Sequence, residues 1–436
     1  MSSQLEIETA VLGAGLAGLG FAIELPGVRI FEAKQHPGGH AYSHQAGGVF
    51  FDEGAHISHT KDSTFRDLIH QTAGAVHTGL ARSVRNRWHG VWTGYPVQNH
   101  LRDLPEEARI SALIDLVVAH TDATEVKAPT YRDWCTQQYG DYLTDNFYEE
   151  FTTKYWRRAT SELATDWLGG RLIPSDLPNI ITGAFSDKIA NQATFATFHY
   201  PKRGGFFGFF EDLYADLDIR FGSKVADIDL HRKTLSFESG AEESFERLAS
   251  SIPLPTLINA IKDVPASVRD AAGQLHHTKM LCVNVIVERT DLIDSPWCYI
   301  YDHDIEPARI SFPANLSPGS VPGGSSAIQA EIFRDHNEPW GDQDALAEAT
   351  VQQLGDLLGF DPQRDVTTVH TIDVSHAYVV SDHNRANAVD HVLSWLSDQQ
   401  VTSMGLYGKW KYLWSDAAFR SGQQAAANMK AQDGHN

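Results

Sequence analysis

The stretch IETAVLGAGLAGLGFAIEL, residues 7–25, restricts the fold more than any other feature of the chain. Its apolar start reads as a buried strand ending at Leu12, and a helix follows from about Leu16. Between them, Gly13, Gly15 and Gly18 form G-x-G-x-x-G. Each glycine has a separate reason: Gly13 for a tight turn, Gly15 for close approach of a pyrophosphate, Gly18 for packing of helix on strand. The helix start offers unpaired N–H groups and a partial positive charge to the phosphates. A second strand, VRIFEA, ends at Glu32, the position from which an acid reaches a ribose diol. Strand, glycine turn, helix, strand and acid together predict a dinucleotide-binding α/β unit at the N-terminus.

The residues after Glu32 separate the candidate dinucleotides. EAKQHPGGHAYS places Gly38 and Gly39 just beyond the acid, followed by His40 and a small, polar run. This trailing glycine pair resembles flavoproteins of the amine oxidase type, in which the backbone passes close to the flavin side of the pyrophosphate. FAD is the expected cofactor, with Gly13, Gly15, Gly18, Glu32, Gly39 and His40 as its N-terminal contacts. A formal charge of −21 argues against nucleic acid or an anionic membrane as the main partner, because either would repel the chain. Three scattered cysteines make neither a disulfide framework nor a zinc knuckle, which fits a reducing cytoplasm. The polar, acidic MSSQLEIE does not read as a signal peptide, and no apolar run approaches the ~18 residues of a span.

Along the chain the periodicity changes several times. DLPEEARISALIDLVVAH and YRDWCTQQYGDYLTDNFYEEFTTKYW show helical spacing with an aromatic stripe. IRFGSKVADIDLHRKTLSFESG alternates as a hairpin, and MLCVNVIVER and AIQAEIFRD read as antiparallel strands. The expected organisation is an FAD-binding, Rossmann-like α/β domain interleaved with a mostly helical domain and an antiparallel-sheet substrate domain. The segments are 1–80 for the first part of the FAD domain, 81–185 helical, and 186–278 returning to the FAD domain. The antiparallel sheet takes 279–395, and 396–436 closes the cofactor domain. A helix is expected from Ser415, with Gly405 and Asp416 near the flavin or its phosphates.

DEGAHISHT, residues 52–60, raises a narrower question, because His56 and His59 lie three apart. Metal binding needs three or four ligands and no third is evident, so no metal is expected. The fingerprint followed in order by EGAHISHT, TTKYWRRATSEL, RLIP and YPKRGGF resembles UDP-galactopyranose mutase and its relatives over nearly the whole chain. That family shares the amine oxidase fold yet carries out a non-redox pyranose–furanose interconversion, with N5 of reduced flavin as nucleophile toward the anomeric carbon. The resemblance implies a nucleoside diphosphate sugar as substrate and an external flavin reductant, and leaves a homodimer open. It places His56 in a loop beside the flavin and Trp156 beside the sugar. Arg171 and Arg309 fall on two arginines that clamp the diphosphate, and Tyr378 on a tyrosine that touches it. Phe151, Tyr155 and Tyr412 complete the implied substrate site. A leaving diphosphate gains charge as the anomeric bond breaks, and fixed guanidinium groups suit that charge.

Four positions depart from the family pattern. Phe151 stands where the family has tyrosine, Ala184 replaces a tyrosine, Arg157 replaces a glycine, and Leu406 replaces an arginine close to FAD. These changes would alter nucleotide or sugar contacts, so they leave the sugar and base open. Two rival functions share the fold: an FAD-dependent amine oxidase or desaturase that removes hydride, and a flavin-binding protein without catalysis. A diphosphate clamp has no use in an oxidase of neutral or cationic substrates.

Overall fold

The computed structural model describes residues 7–80, 84–121, 127–169, 172, 174–187 and 197–433. Its first sheet grows around the strand Ile7–Leu12, whose Ala10, Val11 and Leu12 are fully buried. Burial on both faces explains a continuous apolar run instead of an alternating one. Arg29–Phe31 pairs with it in parallel on one side, with Leu12 opposite Phe31, and Asp218–Arg220 extends that edge. On the other side lie Glu242–Ser250 and then Val401–Ser403, both parallel. The hairpin Val225–Asp229/Thr234–Phe237 adds an antiparallel margin through Glu242–Ser250.

Small residues let the helix Leu16–Glu24 lie almost against Ser415–Asp433. A Cβ on Gly20 would sit 2.2 Å from the Phe419 carbonyl oxygen, and one on Gly422 would sit 1.9 Å from that of Ala17. Chain ends more than 390 residues apart are thus packed backbone to backbone in the cofactor half.

A second sheet runs in the order 366–379, 277–287, 326–335, 309–311, 297–300, 85–88, 91–94. The strand His277–Val287, second from one edge, divides its side chains by parity. Leu281, Val283, Val285 and Val287 pack toward Ala347, Val351 and Leu354 of the helix Gln343–Leu358. Met280, Cys282 and Ile286 face Val49, Phe51 and Tyr155. This second face looks toward the cofactor half, so residues pointing from it are placed for chemistry.

The segment expected to be helical from residue 81 opens with the hairpin Arg85–Trp88/Val91–Gly94, which belongs to this second sheet. Helices follow at Glu106–Thr121, Tyr131–Leu143 and Glu149–Tyr155. Thr130 caps the second through a reciprocal box with Asp133. Gly140 breaks it with φ +80°, where any Cβ would lie 2.6 Å from the Asp115 backbone. Among the described residues no helix is long and apolar enough to cross a membrane.

Candidate active site

The glycine turn ends a buried strand and opens a helix whose N-cap, Gly15, provides no side-chain hydrogen bond. Its first N–H groups are therefore left for a ligand. Gly13 has φ +95°, and a Cβ there would lie 2.5 Å from Ser251 Oγ. Gly39 approaches Gly15 so closely that its Cβ would stand 3.1 Å from the Gly15 Cα, and Gly38 N donates to the Ala14 carbonyl at 2.8 Å. Both glycine pairs thus line one cleft, which side chains would fill. The buried Glu32 carboxylate accepts from Ala14 N and Lys34 N, each at 2.8 Å, which fixes it at the end of the second strand. These residues fit a dinucleotide: a bare N-terminus and close backbone for the pyrophosphate, and an anchored acid for a ribose.

Next to this cleft, Glu53 binds three side chains at once. Its oxygens lie 2.7 Å from His40 Nδ1, 2.5 Å from Lys34 Nζ and 3.3 Å from His44 Nε2. Burial works to raise the carboxyl, but the hydrogen bonds from His40 and His44 and the nearby charges outweigh it. They hold Glu53 well below the usual carboxylate range.

The histidine loop has two different attachments. His56 Nδ1 lies 2.9 Å from the Gly54 carbonyl, which can only accept, so Nδ1 carries the proton and Nε2 is the acceptor. Burial lowers the ring's pKa to about 4, which keeps it neutral at pH 7. His59 instead meets Trp414 edge to face, with ring centroids 4.1 Å apart. Thr60 donates to Asp416 at 2.5 Å, which ties the loop's end to the first turn of the C-terminal helix. Among the described residues, no group of three or more His, Cys, Asp or Glu could hold a metal ion.

On the inner face of the second sheet, Arg309 is gripped by the fully buried Glu331. Arg309 Nε lies 3.0 and 2.9 Å from the two carboxylate oxygens, and its Nη2 lies 2.8 Å from one of them. The same carboxylate accepts from Ala55 N at 2.7 Å, so one acid fixes both the arginine and the histidine loop. Burial opposes the guanidinium charge, but Glu331 beside it overcomes this and raises the pKa well above its ordinary value. Among the described residues Arg309 Nη1 has no acceptor, leaving a charged donor for a ligand.

Aromatic rings surround this arginine. Its guanidinium stands 5.8 Å over the Tyr155 ring, and the Tyr155 and Tyr378 hydroxyls are 2.8 Å apart. Burial raises both phenols above their ordinary range, so they remain neutral donors. Tyr378 stacks on Tyr412 at 5.8 Å and 9°, Trp156 lies edge-on to Tyr378 at 5.1 Å, and Phe151 stacks on Tyr155 at 4.8 Å. Phe151, Tyr155, Trp156, Arg309, Tyr378 and Tyr412, distant in sequence, are therefore brought together. Arg171 lies outside the described residues.

The departures from the family pattern fall in different places. Arg157 has φ +56°, a conformation natural to glycine, and pairs with Glu338 at 3.3 Å. Ala184 is buried in the helical core, and Leu406 packs beside Trp410. Sequence reasoning missed Glu331 and Glu53. Each had a signal: Glu331 is an acid inside the apolar run AIQAEIF, and Glu53 follows the apolar VFF and Asp52, directly before the histidine loop.

The fold is shared with known structures at low identity. Over 98% of this chain and 94% of the other, it matches reduced UDP-galactopyranose mutase at 22% identity with a TM-score of 0.90. A fatty acid isomerase from P. acnes matches at 13% identity and a TM-score of 0.64, over 97% of this chain and 98% of that one. An engineered putrescine oxidase matches at 14% and 0.62, over 98% and 99%. At such identities these likenesses show the fold alone, and they span three chemistries. The family model described as flavin containing amine oxidoreductase matches residues 16–429, from the glycine turn to the C-terminal helix. With that match and a cleft that fits the cofactor, the chain belongs to the flavin-containing amine oxidoreductase family and binds FAD.

Proposed function

We propose that this flavoenzyme is a mutase that interconverts the pyranose and furanose forms of a nucleoside diphosphate sugar. The observation that supports this most is Arg309: a permanently charged donor with its side chain 12% exposed, fixed by the buried Glu331 and walled by Tyr155 and Tyr378. A pre-fixed guanidinium beside two neutral phenols suits a diphosphate whose charge grows as the anomeric bond breaks. FAD, when bound and reduced, supplies a nucleophile for the anomeric carbon and external electrons keep it reduced. Gly13, Gly15, Glu32, Gly39, His40 and Gly405 would hold it, with Asp416 anchoring the loop alongside. Trp156, Tyr412 and Phe151 offer ring faces to the sugar and base, and Arg171 supplies a second cation to the diphosphate. His56, neutral and with Nε2 as acceptor, would receive a hydrogen bond beside the flavin.

A second reading, an amine oxidase, is favoured by the same rings, since aromatic faces attract ammonium groups. Arg309 counts against it, because a fixed cation repels an ammonium substrate. The two are separated by incubating the FAD-loaded protein anaerobically with a panel of nucleoside diphosphate sugars, oxidised and dithionite-reduced. A new isomer of unchanged mass, formed only with reduced flavin, is expected. Unchanged sugar nucleotides, with amines that bleach the flavin instead, would move the assignment to the oxidase.

A further inference from the structure

The strand that carries Tyr378 does not reach it regularly. Val366–Val379 pairs antiparallel with His277–Val287 in unbroken register from Thr368 opposite Ile286 to Val374 opposite Met280. The next pair is Tyr378 opposite Thr278, so four steps on one strand match two on the other. Ser375, His376 and Ala377 bulge from the ladder, and a bulge re-aims the side chain that follows it. Carbonyls displaced from a ladder need another donor. The Tyr407 hydroxyl supplies it, donating to the His376 and Ala377 carbonyl oxygens at 2.6 and 2.9 Å. Tyr378 N finds a partner of its own in Thr278 Oγ1 at 3.2 Å.

Tyr407 belongs to the cofactor half. It sits in the short helix Gly405–Gly408, which starts at a glycine with φ +79° whose Cβ would meet Ala17 Cβ at 2.7 Å. Its ring centroid lies 5.2 Å from that of His40. The bulge is thus fastened to the body that holds the flavin. We propose that Tyr407 is a positioning residue for substrate binding: its hydroxyl staples the Ser375–Ala377 bulge and so sets Tyr378 against Tyr155 and Tyr412. The substrate half of this inference rests on the sugar-nucleotide reading above.

The test compares wild type, Tyr407→Phe, Tyr378→Phe and the double variant, each loaded with FAD. Two quantities are measured: UDP affinity by flavin fluorescence, and amide hydrogen exchange of peptides covering residues 374–380. Tyr407→Phe keeps the ring, so flavin content should stay at the wild-type level. Losing one hydrogen bond of ~1 kcal/mol should weaken UDP binding about fivefold and accelerate exchange across the bulge by a similar factor. If the effect passes through Tyr378, the double variant should bind UDP no more weakly than Tyr378→Phe alone. Unchanged exchange in Tyr407→Phe would overturn the staple. Faster exchange with unchanged or strictly additive UDP affinity would overturn the positioning role, and loss of flavin would make Tyr407 a cofactor residue instead. Wild-type protein that binds neither UDP nor any other nucleoside diphosphate would overturn the nucleotide reading, and the exchange comparison would still accept or reject the staple.

Discussion

Arg309 and Glu331 make a pair whose members cannot be removed singly without cost. Glu331 is fully buried, and Arg309→Ala would leave its charge unpaired there while freeing Ala55 N from a rigid partner. Breaking a buried pair in this way costs about 3–5 kcal/mol. Chemical denaturation should show that loss for Arg309→Ala, and Arg309→Ala/Glu331→Gln should recover much of it. Equal stability of the single and double variants would mean that the carboxylate finds other partners. Flavin absorbance should survive in the double variant while UDP binding is lost. Loss of flavin instead would make Arg309 a cofactor residue. At this scale a local signature marks Gly13 and Glu32, and the ordered resemblance marks Arg309 and Tyr378, which the fold brings into one cluster with Tyr155. The sequence did not disclose Glu331 as the partner of Arg309, nor Tyr407 as the clasp on residues 376 and 377. Those relations join residues 22 to 31 positions apart and exist only once the strands are paired.

Elements were read more successfully than their boundaries with one another. Continuous apolar strands, the glycine turn and the helix at Ser415 all follow from local pattern, because burial on one or both faces leaves a period in the sequence. The hairpin at residues 85–94 was absorbed into a helical segment, because its alternation is short and its partner, Trp297–Ile300, lies two hundred residues on. The glycines at the crossing of the first and last helices had no visible purpose before packing revealed one. Gly20→Ala should force a Cβ to within 2.2 Å of the Phe419 carbonyl and push the helices apart. Overpacking of this kind costs about 1–3 kcal/mol, and the shift should also disturb the helix start that receives the phosphates. A lower Tm with reduced flavin content is expected. Wild-type values for both would show that the crossing has room to spare.

For the molecule as a whole, partly buried histidines shape much of the response to acid. Burial lowers His56, His59 and His277 to about 4 and His376 to about 3, all below the ordinary value near 6.5. The native state therefore binds fewer protons than the unfolded chain. Their contribution to stability is whole above pH ~6.5 and is lost as pH falls toward about 4, at up to ~1.4 kcal/mol per pH unit for each proton. Asp52 acts the other way: burial raises it to about 6, and its share is lost as pH rises through that value. The four histidine rings, with further histidines that burial lowers in the same direction, outnumber the raised Asp52 and Glu150. They predict a net fall in unfolding free energy between pH 6.5 and 4.5, measurable by urea titration at each pH. A flat profile would mean that water reaches these rings.

The order of strands in the first sheet also has a consequence for how the enzyme comes into being. Ile7–Leu12 lies beside Glu242–Ser250, which in turn lies beside Val401–Ser403, while the helix after the glycine turn packs against Ser415–Asp433. Residues 7–24 thus leave the ribosome long before residues 242–250, 401–403 and 415–433, which complete the packing around them. Until residues 401–433 are made, the nascent chain has the glycine turn but only part of the packing that holds it, so firm binding of the cofactor is expected to wait for them.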